Sequence, residues 1–325
     1  MLDFPFDDDR AESLARRLED LEDAYGETIR FARQQDDCSD IAVNEDGFIW
    51  VTVQGEAVNT GHTMTENALR RIVNIVADID GHPITKAALN ANLPTGERFA
   101  ALLPPTVKRI TISIRIPPKR IYTLDEYLDA GIITGQMRYR LKEAVEGREN
   151  ILVAGGTGAG KTTLANALLA ETAFVGSRTC IIQDQDELKC SGMNVVRAFT
   201  GQMDARELVK EFLRHNPDRL FVCELRDGGT ADEWIGACNT GHPGGLSTIH
   251  ANSAQEALTR ISTLIGKVVK NVPYLDIAQA IDLVVFVRGK GKKRRVEMLI
   301  KPTDWDGKRF TIEDAEEDTQ GDTDD

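Results

Sequence analysis

No C-x-x-C pair occurs among the five cysteines of this chain (Cys38, Cys180, Cys190, Cys223 and Cys238). Neither a structural zinc site nor a disulfide framework is therefore indicated. There is also no uninterrupted apolar stretch approaching the roughly 20 residues that a membrane-crossing helix needs. The N-terminus, Met1-Leu-Asp-Phe-Pro-Phe-Asp-Asp-Asp9, is acidic and lacks the positive start and apolar core of a signal peptide, so a cytoplasmic protein is expected. Basic residues are outnumbered, 39 Lys+Arg against 52 Asp+Glu, giving a net charge of −13. That balance argues against direct nucleic-acid binding, which wants a basic surface. Internal repeats are absent as well.

What is present describes a globular protein: 325 residues, 41% hydrophobic and 28% charged, long enough for two domains with separate cores. Residues 10–35 have helical spacing and many charges, which predicts an exposed N-terminal helix. Ile41–Val43 and Phe48–Val53 read as short strands around a turn. Thr63 and Glu66 have the spacing of a capping box, with Leu69, Ile72, Val73 and Val76 on one face of the helix that follows and Gly81-His82-Pro83 at its end. Residues 98–103 and 109–116 read as two more strands. In the second, Ile110, Ile112, Ile114 and Ile116 alternate with Thr111, Ser113 and Arg115. The isoleucines should line a core and Arg115 should project from the opposite face. Pro117-Pro118 ends that strand, since proline cannot donate to a sheet.

From about residue 136 strands alternate with helices, the pattern of a parallel sheet covered on both faces. Expected strands are 151–154, 179–183, 220–223, 246–250 and 283–287; expected helices are 162–171, 205–214 (capped by Asp204), 230–239 and 254–264. The division expected is an N-terminal α+β domain (1–118), a linker (119–135), a nucleotide-binding α/β domain (136–310) and a disordered acidic tail (311–325). The segment from Glu313 to Asp325 holds eight acidic residues and almost nothing apolar. Just before it, Lys290-Gly-Lys-Lys-Arg-Arg295 reads as a solvated hairpin tip, with a surface for anionic lipid or an acidic partner as the sharper alternative.

One motif carries most of the chemistry. Gly155-Gly156-Thr157-Gly158-Ala159-Gly160-Lys161-Thr162, followed by Thr163, is a complete G-x-x-x-x-G-K-[ST] loop between an apolar run and a helical one. Its glycines let successive N–H groups face phosphate oxygens. Lys161 is placed to reach the β- and γ-phosphates and the Thr162 hydroxyl to ligate Mg²⁺. The expected ligands are ATP and Mg²⁺. Hydrolysis also needs a positioned water and compensation of charge. Glu224, at the end of the strand Leu220-Phe-Val-Cys223, is placed to orient a water or act on the metal, or else simply pairs with Arg226. Asp184, Asp186 and Glu187 end another strand, where activation of water, metal binding and ordinary loop chemistry all fit. His250 ends a strand after the glycine-rich Asn239–Gly245 turn and is expected on the same sheet edge as the loop.

Taken with Leu213-Arg-His-Asn-Pro217-Asp218 and Thr240-Gly-His-Pro-Gly-Gly245, these motifs resemble the secretion ATPase superfamily, the motors of type II and type IV secretion and of type IV pili. Within it the chain is similar to the conjugal-transfer branch. The resemblance covers about residues 90–300. It implies an α/β fold, with a RecA-like P-loop domain behind a smaller N-terminal α+β domain. It also implies an ATP hydrolase, assembly into a homohexamer, inner-membrane components of a type IV secretion machine as partners, and peripheral contact with the inner membrane. By the same resemblance Glu187 polarises the attacking water and Glu224 acts on Mg²⁺ through water. His250 senses the γ-phosphate, and Arg115 and Arg98 reach the nucleotide from the N-terminal domain. Gln183 departs from the family's usual Glu, and Cys223 stands where many other P-loop enzymes have Asp. A pilus or type II motor is an alternative within the same superfamily, against which stand the missing tetra-cysteine insertion and retraction motif. A nucleotide-gated scaffold with little turnover is the alternative from another class.

Overall fold

The computed structural model describes residues 8–81, 84–171 and 176–315. The chain divides into two compact units, 1–119 and 120–325.

Unit 1 begins with α1 (Asp8–Gln34), which is broken at Gly26 (φ 69°, ψ 176°). Three strands follow, β1 (Cys38–Val43), β2 (Phe48–Val53) and β3 (Glu56–Thr63), then α2 (Glu66–Asp80), β4 (Ala88–Asn92), β5 (Arg98–Leu102) and β6 (Thr111–Arg115). The strands form an antiparallel sheet in the order β3-β2-β1-β6-β5-β4. Ile110, Ile112, Ile114 and Ile116 are buried against α1 and α2, as their alternation requires. The first helix is less exposed than its charges suggest, because Leu21, Tyr25, Ile29 and Ala32 form an apolar stripe inside that core. The cap of α2 is Thr65, whose side chain accepts from the Ala68 amide; Thr63 belongs to β3. Of the expected Gly81–Pro83 stop, Gly81 caps the helix in the left-handed region, while His82 and Pro83 lie outside the described residues.

Unit 2 starts with α3 (Leu124–Asp129) and α4 (Gly135–Glu146). The first of these falls in the stretch read as a linker. Thr123 and Glu126 close a capping box there, and Leu124, Tyr127 and Ile133 are buried in the core of unit 2. The remaining elements are β7 (Ile151–Gly155), α5 (Lys161–Leu169), β8 (Thr179–Gln183), β9 (Val195–Phe199), α6 (Ala205–Leu213), β10 (Arg219–Val222), α7 (Gly228–Asn239), β11 (Leu246–His250), α8 (Ala254–Ile265), α9 (Tyr274–Ala280), β12 (Leu283–Arg288), β13 (Arg295–Trp305) and β14 (Phe310–Asp314). The sheet runs β14-β13-β12-β7-β11-β10-β8-β9, parallel from β12 to β9, with β13 and β14 antiparallel at one edge. Its central strands are buried on both faces, by α6 to α9 on one side and by α3 to α5 on the other. Residues 311–314, read as part of the acidic tail, pair with β13; residues 316–325 lie outside the described residues. Among the described residues no helix is long and apolar enough to cross a membrane.

Candidate nucleotide site

Parallel α/β sheets bind ligands beyond the carboxyl ends of their strands. The loop 155–160 lies at that edge, between β7 and α5. Helix α5 opens at Gly160 (φ 98°) with no side-chain cap, so its first amides have no side-chain acceptor at the cap position. They face the same end as the loop, where the positive end of the helix dipole favours an anion. Gly155 is demanded by a close approach: a methyl group there would stand 2.4 Å from the Val287 carbonyl oxygen on β12.

Lys161 is buried. Its Nζ donates to the Gly156 carbonyl at 3.1 Å and lies 3.1 Å from His250 Nδ1. An ammonium only donates, so Nδ1 is the accepting nitrogen and the imidazole proton sits on Nε2. That nitrogen is 3.1 Å from Glu224 Oε1 and donates to it. The loop lysine, the histidine and the carboxylate thus form one hydrogen-bonded chain, with His250 directly opposite Gly155 in the β11–β7 register. Burial first, then the Lys161 ammonium, holds the His250 imidazole below its ordinary pKa, against the pull of Glu224. It is neutral at neutral pH.

Glu224 also accepts from Arg226 at 2.9 Å. The pairing with Arg226 and the placement at the sheet rim therefore hold together. Its backbone is fixed by Thr248, which sequence reading passed over. The buried Thr248 hydroxyl donates to the Cys223 carbonyl at 2.7 Å, and the Thr248 carbonyl accepts from the Leu225 amide at 2.9 Å. Ser247 makes the matching contact to the Val222 carbonyl at 2.7 Å. Two adjacent hydroxyl residues in a strand buried on both faces were the available signal, since buried polar groups must find partners.

The acidic box separates into parts. Asp184 pairs with Arg226 and accepts from Thr200 at 2.7 Å. Asp186 pairs with Lys189 at 2.7 Å, which holds its carboxyl below the usual range. Gln183, in the place of the family's Glu, is buried and folds the turn by accepting from the Leu188 amide at 2.9 Å. Asn166 on α5 grips the same turn, donating to the Glu187 carbonyl and accepting from the Lys189 amide, both at 2.8 Å. The Cys223 thiol is pushed up to about 12 by burial and then by Glu187, Asp184 and Glu224. That thiol therefore stays protonated. Among the described residues no group of three or more His, Cys, Asp and Glu side chains is arranged to hold a metal on its own.

The 240–245 turn precedes β11, at the opposite sheet edge from His250; the Gly245 amide donates to Asn150 Oδ1 at 2.8 Å there. Arg98 and Arg115 belong to unit 1. They are cross-strand partners on β5 and β6, on the sheet face away from the isoleucines, with Asp40 opposite Arg115 on β1. The structure brings these two together with each other.

Fold, loop and the ordered carboxylates and histidine define a secretion ATPase. The chain belongs to the type II/IV secretion system protein family, whose model matches residues 39–313. It is 36% identical over 295 residues to the conjugal transfer protein TrbB of Rhizobium radiobacter, covering 88% of this chain and 90% of that protein. It is 33% identical over 303 residues to the type IV secretion system protein PtlH of Bordetella pertussis, covering 80% and 89%. In fold it is similar to the Legionella pneumophila ATPase DotB, with a TM-score of 0.58 at 21% identity over 85% of this chain and 75% of that one.

Proposed function

We propose that this protein is the Mg²⁺-dependent ATPase motor of a conjugative type IV secretion machine, acting in the cytoplasm at the inner membrane as a ring of six. The observation that carries the reading is the unbroken chain Lys161–His250–Glu224, which couples the phosphate loop to a carboxylate at the sheet rim. Its similarity to a conjugal transfer protein over nine-tenths of both chains supports the conjugative setting. The RecA-like description of unit 2 is supported by its central β7 and the parallel strands on either side.

In this reading residues 155–163 bind ATP. Lys161 contacts the β- and γ-phosphates, and Glu187 polarises the attacking water. The Thr162 hydroxyl and, through water, Glu224 would hold Mg²⁺. Both are oxygen donors with few protein ligands around them, which suits an ion that keeps several waters and leans on the phosphates. Bound there, the metal would neutralise charge on the β- and γ-oxygens. His250 reports whether the γ-phosphate is present, because any anion that draws Lys161 away from Nδ1 changes the hydrogen bond at Nε2. Arg115 and Arg98 would supply positive charge to the nucleotide.

The test is a Glu187→Gln variant, assayed for nucleotide binding and for phosphate release, with molecular mass in solution measured with and without Mg-ATP. The motor reading expects binding retained, turnover lost and a mass near six chains. Unchanged turnover would remove Glu187 from the mechanism. A wild-type protein that binds ATP without releasing phosphate would favour a nucleotide-gated scaffold.

A further inference from the structure

The basic turn between β12 and β13 faces the phosphate loop, whereas a solvated hairpin tip would face only water. It forms a 3-10 turn at Gly291–Lys293 between antiparallel strands. A methyl group on Gly158 would lie 3.3 Å from Cε and 3.7 Å from Nζ of Lys290. One on Gly160 would lie 2.7 Å from Nε and 2.8 Å from Cζ of Arg294. With Gly155 against the Val287 carbonyl, three loop glycines abut this one hairpin.

The charges of the turn are treated differently. Arg288 and Arg295 are balanced by Glu297, at 2.8 and 3.6 Å. Among the described residues Lys290 and Arg294 form no such pair, and Arg294 Nε is buried without a hydrogen-bond partner. Two cations without an acidic partner among the described residues thus stand beside the loop that carries Lys161. Like charges in a partly desolvated site repel, and the arrangement is relieved by an anion that bridges them.

Sheet order gives that anion a direction. His250, Glu224 and Glu187 follow β11, β10 and β8, all on one side of β7, while β12 and its hairpin lie on the other. A nucleotide whose γ-phosphate faces Glu224 extends its α-phosphate and nucleoside towards the hairpin. We propose that Lys290 and Arg294 are nucleotide-binding residues for this second half of the site, contacting the α-phosphate and the nucleoside attached to it. The inference rests on the ATP-site reading above and adds that the hairpin serves di- and triphosphates alike.

Calorimetric titration of the full chain with Mg-ADP and with a non-hydrolysable Mg-ATP analogue tests it. Lys290→Met is expected to weaken both ligands by about tenfold, equivalent to about 1.4 kcal/mol. Lys290→Arg should recover most of that loss, and Arg294→Gln should weaken both ligands by a similar factor. Lys293→Gln, at an exposed position on the same turn, should bind as wild type does. Equal binding by Lys290→Met and wild type overturns the proposal, as does a loss confined to the triphosphate. Lys161→Ala separates the two claims. If it abolishes binding while Lys290→Met does not, only the hairpin inference fails. If it binds as wild type does, the ATP-site reading fails first. Should Arg294→Gln not fold, the Lys290 pair decides, checked by an unchanged melting temperature of the ligand-free protein.

Discussion

Replacing Thr248 by Val should unfasten Glu224 while leaving the sheet otherwise intact. Val matches Thr in shape and suits a strand, so neither cavity nor clash is created, and the main-chain bond from the Leu225 amide to the Thr248 carbonyl survives. What disappears is the 2.7 Å hydrogen bond from the hydroxyl to the Cys223 carbonyl. A typical intramolecular hydrogen bond contributes about 1 kcal/mol net, and a buried carbonyl left without its donor costs about 1–3 kcal/mol. A destabilisation of about 1.5 kcal/mol follows. For a unit of about 200 residues that lowers the melting temperature by about 3–6 °C. The readout is the calorimetric transition of unit 2, since a two-unit chain need not melt in a single step. Phosphate release should fall as well, because Glu224 lies between the two backbone groups that Thr248 holds. A Thr248→Val protein that melts within about 1 °C of wild type would refute the reasoning.

His250 should titrate below its ordinary pKa, about 6.5. In proton NMR its midpoint should rise on Lys161→Met, which removes the neighbouring ammonium; an unmoved midpoint would break the Lys161–His250 contact. Because the folded-state value is lowered, the unfolded chain binds the extra proton. The group's contribution to stability is therefore present above the unfolded pKa and lost as pH falls through the folded one. Gly155→Ala should destabilise unit 2 by about 3 kcal/mol, since its methyl would meet the Val287 carbonyl at 2.4 Å; a denaturant midpoint equal to wild type would contradict that.

Much of unit 2 was legible in the sequence because its central strands are continuous apolar runs and several of its helices begin at visible caps. Asp204, for example, closes a capping box onto Glu207. The elements that escaped are those whose pattern is set by tertiary context. β9 is a half-exposed and β3 an almost fully exposed edge strand, neither with a clean alternation, and β14 is an acidic segment recruited by pairing with β13. α3 hid in a stretch read as a connection, although its capping box was in the sequence at Thr123 and Glu126. At the site, sequence order put His250 and Glu224 on the rim of the loop, because parallel strands bring their carboxyl ends to one edge. It did not reveal that the two touch, that Thr248 anchors Glu224, or that the basic turn folds onto Gly158 and Gly160. Those contacts depend on which strands are neighbours, and β12 meets β7 only through a crossover invisible to local pattern.

The central claim is that Lys161 and the carboxylates around it hydrolyse ATP. Steady-state phosphate release from Mg-ATP, compared between wild type and Lys161→Ala at matched protein concentration, tests it most directly. The account predicts sustained release by wild type and none above background by the variant. Equal rates in the two proteins would contradict it.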